Sequence, residues 1–406
     1  MNAEQSAGNH RWQDLVKVFL KLGAMSYGGP AIMGIMQAEV QEKRGWLSKE
    51  KFLEGLALVS MLPGPGATQL GIFIGYHRAG WRGGVAAGLC FILPAFFIML
   101  ALTLLYSTYG ALPVMRDAFY GLGPVVLGIF VVAVYRLGLA ALKGTSQIVL
   151  AVGGALAVAF TPLGIVTTLL LAGCAGVAAY HSRAWGLRAA LAVLLMFAVF
   201  HWGTLPWSGT AIPGGGAAAA QSMPHSVWDI GWFFFKVGAF TFGGGITMLA
   251  FVQEQVVNQL HWLTPQEFVD GLALGQLTPG PILMLAAYVG YKLLGVTGAL
   301  VGGLAVFLPS FILMLSLLPV LARFKDMRWI KAVMRGISAA VIGALAVSLW
   351  QMAPHAAPDA FTVFLLIVTV AVSLWWRVGP LSLMLGGGFI GATSRLNPLQ
   401  RLKELT

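Results

Sequence analysis

A lysine, a hydroxyl side chain and a pair of glycines occur twice in this chain at the same spacing, each time within a long apolar stretch. The two sets are Lys21, Ser26 and Gly28–Gly29, then Lys236, Thr241 and Gly243–Gly244. Paired glycines interrupt a helix, and the N–H groups and positive dipole at a helix N-terminus bind anions. An ammonium group and a hydroxyl at such a break add positive charge and hydrogen-bond donors. The spacing predicts a site for a small anion.

A second break follows each of these motifs. It is a proline–glycine–proline sequence, which cannot continue a regular helix. Paired breaks in corresponding places of two repeats are typical of a transporter's substrate site. The alternative is that the glycines serve close helix packing and the prolines make kinks. The residues predicted to bind the anion are Lys21, Ser26, Tyr27, Gly28, Gly29, Pro63, Gly64, Pro65, Lys236, Thr241, Phe242, Gly243, Gly244, Pro279, Gly280 and Pro281.

Charged residues at repeated positions are the next candidates. The acidic pairs are Glu39 with Glu254 and Glu54 with Asp270. A carboxylate within a membrane protein carries a proton or pairs with a basic residue, although a position at the membrane surface is an equal alternative. A lysine near the end of a transmembrane segment can also extend its aliphatic side chain so that the ammonium group lies at the membrane surface. This is the alternative for Lys21 and Lys236.

The two motifs belong to a duplication of the whole chain. The stretch DLVKVFLKLGAMSYGGP begins at Asp14, and DIGWFFFKVGAFTFGGG begins at Asp229, an offset of 229 − 14 = 215 residues. Downstream matches keep an offset of 215 or 216 residues. Both aspartates are predicted to be helix N-caps. We predict an N-terminal repeat over 1–182, a linking segment and external loop over 183–227, and a C-terminal repeat over 228–406.

The composition indicates an all-α polytopic membrane protein. Of the 406 residues, 58% are hydrophobic and 10% are charged, whereas soluble proteins carry about 25% charged residues. About thirteen apolar segments, six plus one plus six, are predicted with discontinuous helices. They are 14–36, 52–75, 83–106, 119–141, 146–161, 163–181, the unpaired 185–202, 228–251, 267–291, 298–321, 333–352, 359–376 and 380–393.

The net charge of +11 comes mostly from Lys and Arg in short gaps between the apolar segments. This is the pattern of cytoplasmic loops facing anionic lipid, not of nucleic-acid binding. The stretch 201–229 contains no Lys or Arg and is predicted to be external, so the second repeat is inverted and the N-terminus is cytoplasmic. The basic stretch 41–51 and the basic C-terminal tail conflict with this orientation. Re-entrant hairpins near the breaks would remove the first conflict.

Several classes of function lack their sequence signatures. Cys90 and Cys174 lie in apolar runs without metal-ligand spacing or a disulfide framework. The histidines are scattered, and no nucleotide-binding P-loop motif is present. No cleavable signal peptide is evident. We therefore expect no cofactor, no metal site and no catalytic residues, and we expect transport that is not driven by ATP.

The duplicated motif F-x-K-x-G-A-x-[ST]-[FY]-G-G followed by P-G-P resembles the chromate ion transporter family in its long, two-domain form. The resemblance covers most of the chain, with one difference, since Gly245 stands where the first repeat has Pro30. It implies a multi-pass protein of the bacterial inner membrane that exports chromate and confers chromate resistance. Sulfate, which is isosteric with chromate, is the implied competitor.

The resulting hypothesis is a secondary transporter that exports chromate by alternating access around a site near the middle of the membrane. The first alternative is a proton-coupled importer or exchanger of sulfate or another oxyanion, in which Glu54 and Asp270 carry protons. A membrane enzyme and an anion channel are further alternatives. Chromate, sulfate and the lipid bilayer are the predicted partners, and the sequence leaves a homodimer open.

Overall fold

The computed structural model describes residues 2–25, 29–59, 62–161, 163–200, 226–241, 245, 247–319, 328–376 and 378–394. All the regular secondary structure within these ranges is helical. The helices of the first repeat and the linking segment are α1 (Asn2–Met25), α2 (Gly29–Gln37), α3 (Lys49–Val59), α4 (Gly66–Tyr109), α5 (Pro113–Ala141), α6 (Thr145–Phe160), α7 (Gly164–Tyr180) and α8 (Arg183–Phe200).

The second repeat follows the same order. Its helices are α9 (Val227–Ala239), α10 (Thr247–Gln253), α11 (Pro265–Leu277), α12 (Leu285–Ala305), α13 (Leu308–Leu317), α14 (Arg328–Ala356), α15 (Ala360–Trp375) and α16 (Pro380–Ser394). A π-helical turn extends α2 over Ala38–Glu42 and α10 over Glu254–Gln259, and a 3₁₀ turn, Ile282–Met284, precedes α12. The two π-helical turns lie at the place where the repeat offset changes from 215 to 216 residues.

The helix ends fall at the predicted breaks. The first break lies between α1 and α2, on Ser26–Gly28, which are outside the described residues. Each proline–glycine–proline sequence lies between two helices, and its glycine has a positive φ, +123° at Gly64 and +105° at Gly280. An L side chain rarely adopts such a conformation, whereas glycine does so readily. The need for glycine at these two turns explains why the sequence signal was clear.

At the breaks the chain folds back instead of continuing. Gly55 of α3 lies against the ring of Phe73 in α4, and the hydroxyl of Tyr288 in α12 donates to the carbonyl of Glu267 in α11 over 2.9 Å. The rings of Phe233 in α9 and Phe251 in α10 are 6.3 Å apart. Residues 18 apart in one straight helix would be separated by about 27 Å. The predicted segments 52–75, 228–251 and 267–291 are therefore hairpins and not single straight spans.

A further reversal divides α4 and α12. At Gly80 and Gly295 the backbone takes φ values of +65° and +61°, and the helices before and after these residues pack side by side. Gly75 meets Gly83 in the first repeat, and Gly290 meets Gly298 in the second. The absence of side chains at these four positions lets the two backbones touch.

The two repeats exchange helices in their second halves. Helix α5 packs against α15 and α16 of the other repeat, and the equivalent α14 packs against α6 and α7. Gly121 meets the backbone of Gly387 and Gly391 at one crossing, and Gly336 meets that of Ala172 and Gly176 at the other. These two sets of residues differ by 215 positions. The larger cluster of buried apolar side chains accordingly contains residues of both repeats.

The equivalent helices α5 and α14 run in opposite directions. Gly123 lies against Ala356 and Gly138 lies against Ile342, so α5 and α14 are antiparallel. Four helical segments in the described part are long and apolar enough to cross a membrane, which supports a polytopic membrane protein but does not confirm thirteen crossings. They are Gly66–Tyr109, Pro113–Ala141, Ile282–Leu317 and Trp329–Ala356.

The structure places the two predicted N-cap residues and the basic stretch 41–51. Asp14 lies inside α1 and Asp229 is the third residue of α9, where it accepts from the N–H of Ser226 over 3.1 Å, so the prediction of two N-caps was wrong. The basic stretch 41–51 lies beside the reversal of α4, because the guanidinium of Arg78 is 5.0 Å from the ring of Trp46. The basic stretch 41–51 and the basic residues at the reversal of α4 thus lie at the same end of the molecule.

Candidate functional site

The turn between α3 and α4 brings the two repeats together. We call residues Pro63–Gln69 the first tip. The N–H of Gly64 donates to the carbonyl of Thr241, at the break between α9 and α10, over 2.5 Å. Helix α4 begins at Gly66, and its first backbone hydrogen bond runs from the N–H of Gln69 to the carbonyl of Pro65. The N–H groups of the first helical turn therefore point toward the tip without a partner in their own helix.

Two buried polar side chains follow directly in the first tip. Thr68 and Gln69 have no exposed surface. The amide nitrogen of Gln69 donates to the carbonyl of Pro63 over 2.5 Å and is 3.5 Å from the hydroxyl of Ser310 in the second repeat. The hydroxyl of Thr68 and the amide oxygen of Gln69 have no partner among the described residues. A buried polar atom without a partner costs about 1–3 kcal/mol, so the tip holds polar atoms available to a ligand.

The corresponding turn of the second repeat has the same backbone but different chemistry. We call residues Thr278–Leu285 the second tip. Gly280 lies against Ala95 of the first repeat, and the hydroxyl of Thr278 donates to the carbonyl of Leu274 over 2.8 Å. The residues that follow, Ile282–Leu285, are all apolar. The second tip therefore lacks the pair of polar side chains that the first tip has.

The predicted lysine and hydroxyl residues are only partly placed at the tips. Thr241 is buried beside Gly64, but its hydroxyl donates to the carbonyl of Val237 over 2.7 Å. Lys21 and Lys236 are exposed, and the ammonium of Lys236 lies 6.0 Å from the ring of Trp232. Gly29 begins α2, whereas Ser26, Tyr27, Gly28, Phe242, Gly243 and Gly244 lie outside the described residues. A role for the two lysines stays a prediction.

The four predicted carboxylates fall into two groups: two pair with basic side chains, and two accept hydrogen bonds from neutral groups. Glu39 accepts from Lys43 and Arg44, each over 3.2 Å, and the hydrogen bond from Lys43 is the main reason that its pKa is lowered. Glu54 pairs with Lys51 over 3.1 Å.

The other two carboxylates have neutral donors. Glu254 accepts from the amides of Asn258 and Gln259 over 2.8 and 3.0 Å. Asp270 is 6% exposed and accepts from the hydroxyl of Tyr106 over 2.6 Å and from the amide of Gln266 over 3.0 Å. Asp270 is therefore the most deeply buried of these four acids, and its two hydrogen-bond donors are uncharged.

Asp270 also lines a cavity of about 410 Å³. The cavity lies where α4 ends, α5 begins, α11 begins and α14 ends, so both repeats contribute to it. Its polar lining residues are Tyr106, Arg116, Tyr120, Gln266, Asp270 and His355.

Sequence reasoning missed Thr68, Gln69, Ser310, Tyr106 and His355. A signal for Thr68 and Gln69 was present, since they are polar where the aligned second repeat has Leu283–Leu285. No comparable signal marks Tyr106 or His355, because their equivalents in the other repeat are unrelated residues. Their position beside Asp270 depends on the packing of α4 and α14 against α11.

Comparison with known proteins agrees with this architecture. The sequence matches the family described as Chromate transporter over residues 13–177 and 228–392. The two matched regions correspond to the two repeats. No solved structure matches the chain.

Curated relatives match along most of their length. A chromate transport protein of Cupriavidus metallidurans is 32% identical over 92% of this chain and 90% of its own. A chromate transport protein of Pseudomonas aeruginosa is 31% identical over 84% of this chain and 82% of its own. An uncharacterized transporter of Bacillus subtilis is 28% identical over 34% of this chain and 70% of its own, about the length of one repeat. With both repeats matched and relatives covered nearly end to end, the chain belongs to the chromate transporter family.

Proposed function

We propose that this protein exports chromate from the cytoplasm by alternating access around the first tip, and thereby confers chromate resistance. The observation that carries the proposal is the set of buried polar atoms at Thr68 and Gln69. These atoms lie at the N-terminus of α4, where the tip contacts Thr241 and Ser310 of the opposite repeat. A site shared between two repeats can open to one side or the other when the repeats move.

The first tip has donors suited to a tetrahedral oxyanion. The free N–H groups of Gly66, Ala67 and Thr68 and the positive end of the helix dipole attract negative charge. The hydroxyl of Thr68 can donate to the same anion. The amide of Gln69 can donate to it only after a rotation that exchanges its oxygen and nitrogen and breaks the bond to the carbonyl of Pro63. In a site without water these contacts are stronger than they are in solution.

The distribution of basic residues supports one orientation of the hairpins in the bacterial inner membrane. Helices α1 and α2 and the hairpin α3–α4 enter from the cytoplasm, and the equivalent pairs of the second repeat enter from outside. Among the described helices, residues 80–109, α5, α6, α7 and α8 then cross between the two sets of hairpins. This odd number of crossings inverts the second repeat and leaves the basic stretches 41–51 and 77–82 on the cytoplasmic side.

The membrane potential suffices to drive export. Moving one charge through 100 mV corresponds to about 2.3 kcal/mol, so a dianion that leaves an inside-negative cell gains roughly 4.6 kcal/mol. Sulfate import would have to overcome the same quantity. Export therefore needs selectivity and gating, but it does not need ATP.

Everted membrane vesicles test both the direction and the anion. With a potential positive inside the vesicles, labelled chromate should accumulate, and excess sulfate should compete if both bind at one site. Accumulation of sulfate in right-side-out vesicles, without chromate uptake in everted ones, would instead support the importer. Saturable counterflow distinguishes a transporter from an anion channel.

The two lysines are tested by chromate survival of a sensitive strain that expresses Lys21→Ala, Lys236→Ala or the double variant. If the ammonium groups attract the dianion, the double variant should lose more resistance than either single variant. Normal resistance at a normal protein level in the double variant would remove both lysines from the site.

A further inference from the structure

The cavity lined by Asp270 is separate from the first tip and has its own arrangement of charge. Asp270 lies eight residues before Thr278, about 12 Å along α11 from the second tip. The cavity volume of about 410 Å³ falls within the roughly 300–1,000 Å³ of small-molecule sites. In the orientation proposed above, the cavity opens toward the outside of the cell.

A guanidinium group and an imidazole group stand at the mouth of the cavity. Arg116 and His355 both line it and are exposed. Neither is hydrogen-bonded or ion-paired to a carboxylate in the part of the chain that the structure describes. Both side chains are therefore available to an anion that enters from solution.

The depth of the cavity holds the carboxylate of Asp270. Its hydrogen bonds come from the neutral groups of Tyr106 and Gln266. Other titratable groups nearby are Glu267 on the same helix and Tyr288 and Lys292 of α12. On the α5 side, the lining residue Tyr120 donates to the carboxylate of Asp359. The ammonium of Lys292 is 2.7 Å from the carboxylate of Glu267, which neutralises it. The carboxyl group of Asp270 therefore lies beside the cavity without a cation bonded to it.

Two like charges in such a confined space repel each other strongly, because little water separates them. An oxyanion at Arg116 and His355 would face the charge of Asp270 from inside the same cavity. Protonation of Asp270 removes this repulsion without breaking an ion pair. The equivalent Glu54 differs, since a proton on it would break its ion pair with Lys51.

We propose that this cavity is an oxyanion site in which Asp270 takes up one proton when the anion binds and releases it when the anion leaves. The proposal rests on the transport function proposed above and names its coupling ion. Proton and anion then move in the same direction. The net charge carried with each chromate dianion falls from two negative charges to one.

Purified protein in liposomes tests this directly. A potassium gradient with valinomycin sets the potential, labelled chromate reports the anion, and an enclosed pH-sensitive dye reports protons. The unaltered protein should move about one proton with each chromate. Asp270→Asn, which keeps the shape of a protonated carboxyl, should still move chromate but without protons, and its chromate flux should become independent of pH.

Matched variants make the result specific. Glu54→Gln changes the equivalent, ion-paired carboxylate and should keep proton movement, and Asp270→Glu should restore it. Proton movement that persists in Asp270→Asn would overturn the proposal, because protons would then travel on chromate itself or on another residue. Chromate transport without proton movement in the unaltered protein would also overturn it while leaving the export function intact. Absence of chromate flux in the unaltered protein would instead refute the export function.

Discussion

The two tips have nearly the same backbone but not the same chemistry. Gly64 and Gly280 both have positive φ values and both lie against the opposite repeat. Only the first tip continues into buried polar residues, Thr68 and Gln69, whereas the second continues into apolar ones. The duplication thus preserved the turn that folds the hairpin, but it preserved buried polar groups after only one of the two turns.

The carboxylates show the opposite asymmetry. Glu54 of the first repeat is ion-paired to Lys51, while Asp270 of the second repeat has neutral donors and lines a cavity. Together the two differences indicate a division of labour. In the proposed mechanism, the first repeat supplies anion-binding groups at its tip, and the second supplies a protonatable group beside the cavity.

The largest effects should come from the tip glycines. Gly64→Ala forces a residue with a side chain into φ +123° and brings a Cβ against Ser310 and Gln69. Backbone strain of this kind costs about 1–3 kcal/mol, and we expect loss of chromate transport. Gly280→Ala should destabilise the protein similarly but should leave chromate affinity of the folded fraction unchanged. Thermal unfolding in detergent and chromate binding measure the two effects separately.

Gly275→Ala is the matched control for these variants. It lies in the same hairpin as Gly280, and nothing lies within 4 Å of an added Cβ. Unfolding of Gly64→Ala at the same temperature as Gly275→Ala would show that the tip tolerates a side chain.

Adding a side chain at the crossings between exchanged helices should destabilise the protein by a similar amount in both repeats. A Cβ at Gly121 would lie 2.7 Å from the Cα of Gly391, and one at Gly336 would lie 2.9 Å from the Cα of Gly176. Overpacking costs about 1–3 kcal/mol, so both alanine variants should unfold at a lower temperature by similar amounts. Gly386→Ala, which meets nothing within 4 Å, should be at least as stable as the unaltered protein. A loss at only one crossing would contradict the equivalence of the two repeats.

Substituting the tip residue Gln69 tests the chemical difference without changing the fold. Gln69→Leu removes a buried amide of similar size, and the loss of such a group costs about 1–3 kcal/mol, roughly 5- to 150-fold in the Kd for chromate. Met284→Leu, the matched change in the second tip, should leave the Kd within about twofold. Equal effects of the two variants on Kd would refute the assignment of the anion to the first tip.

The smallest effect concerns Glu39 and pH. Its lowered pKa means that the ionised form stabilises the fold above the unfolded value of about 4.3. This contribution is lost as pH falls through the lower, folded value. Glu39→Gln should therefore cost less than about 1 kcal/mol at neutral pH, and the difference should vanish in acid. Melting curves over this range would contradict the prediction if the difference grew as pH fell.

Local features of the fold were predictable from the sequence. Glycine at Gly64 and Gly280 and proline on either side act within a few residues, so the breaks were evident without knowledge of packing. The duplication was visible for the same reason, since each repeat must make the same turns. The direction of the chain after each break was not predictable, because the same local sequence is compatible with a chain that folds back and with one that continues across the membrane.

Nonlocal contacts limited the prediction of the site. Asp270 was a candidate from its repeated position, but its neutral partners depend on Tyr106, 164 residues away. Likewise, the sequence does not show that Lys292 pairs with Glu267 and not with Asp270. Exchange of α5 and α14 between repeats is likewise a property of helix packing, and their sequences alone did not indicate it.

The exchange of helices has a consequence for biosynthesis. Helix α5 ends at Ala141, but its partner α15 begins only at Ala360. At a synthesis rate of roughly 5–20 residues per second, this partner emerges about 10–45 s later. During that interval the glycine face of α5 must be covered by lipid or by an insertion factor. Early arrest of translation therefore yields a fragment in which α5 lacks the helix against which it packs.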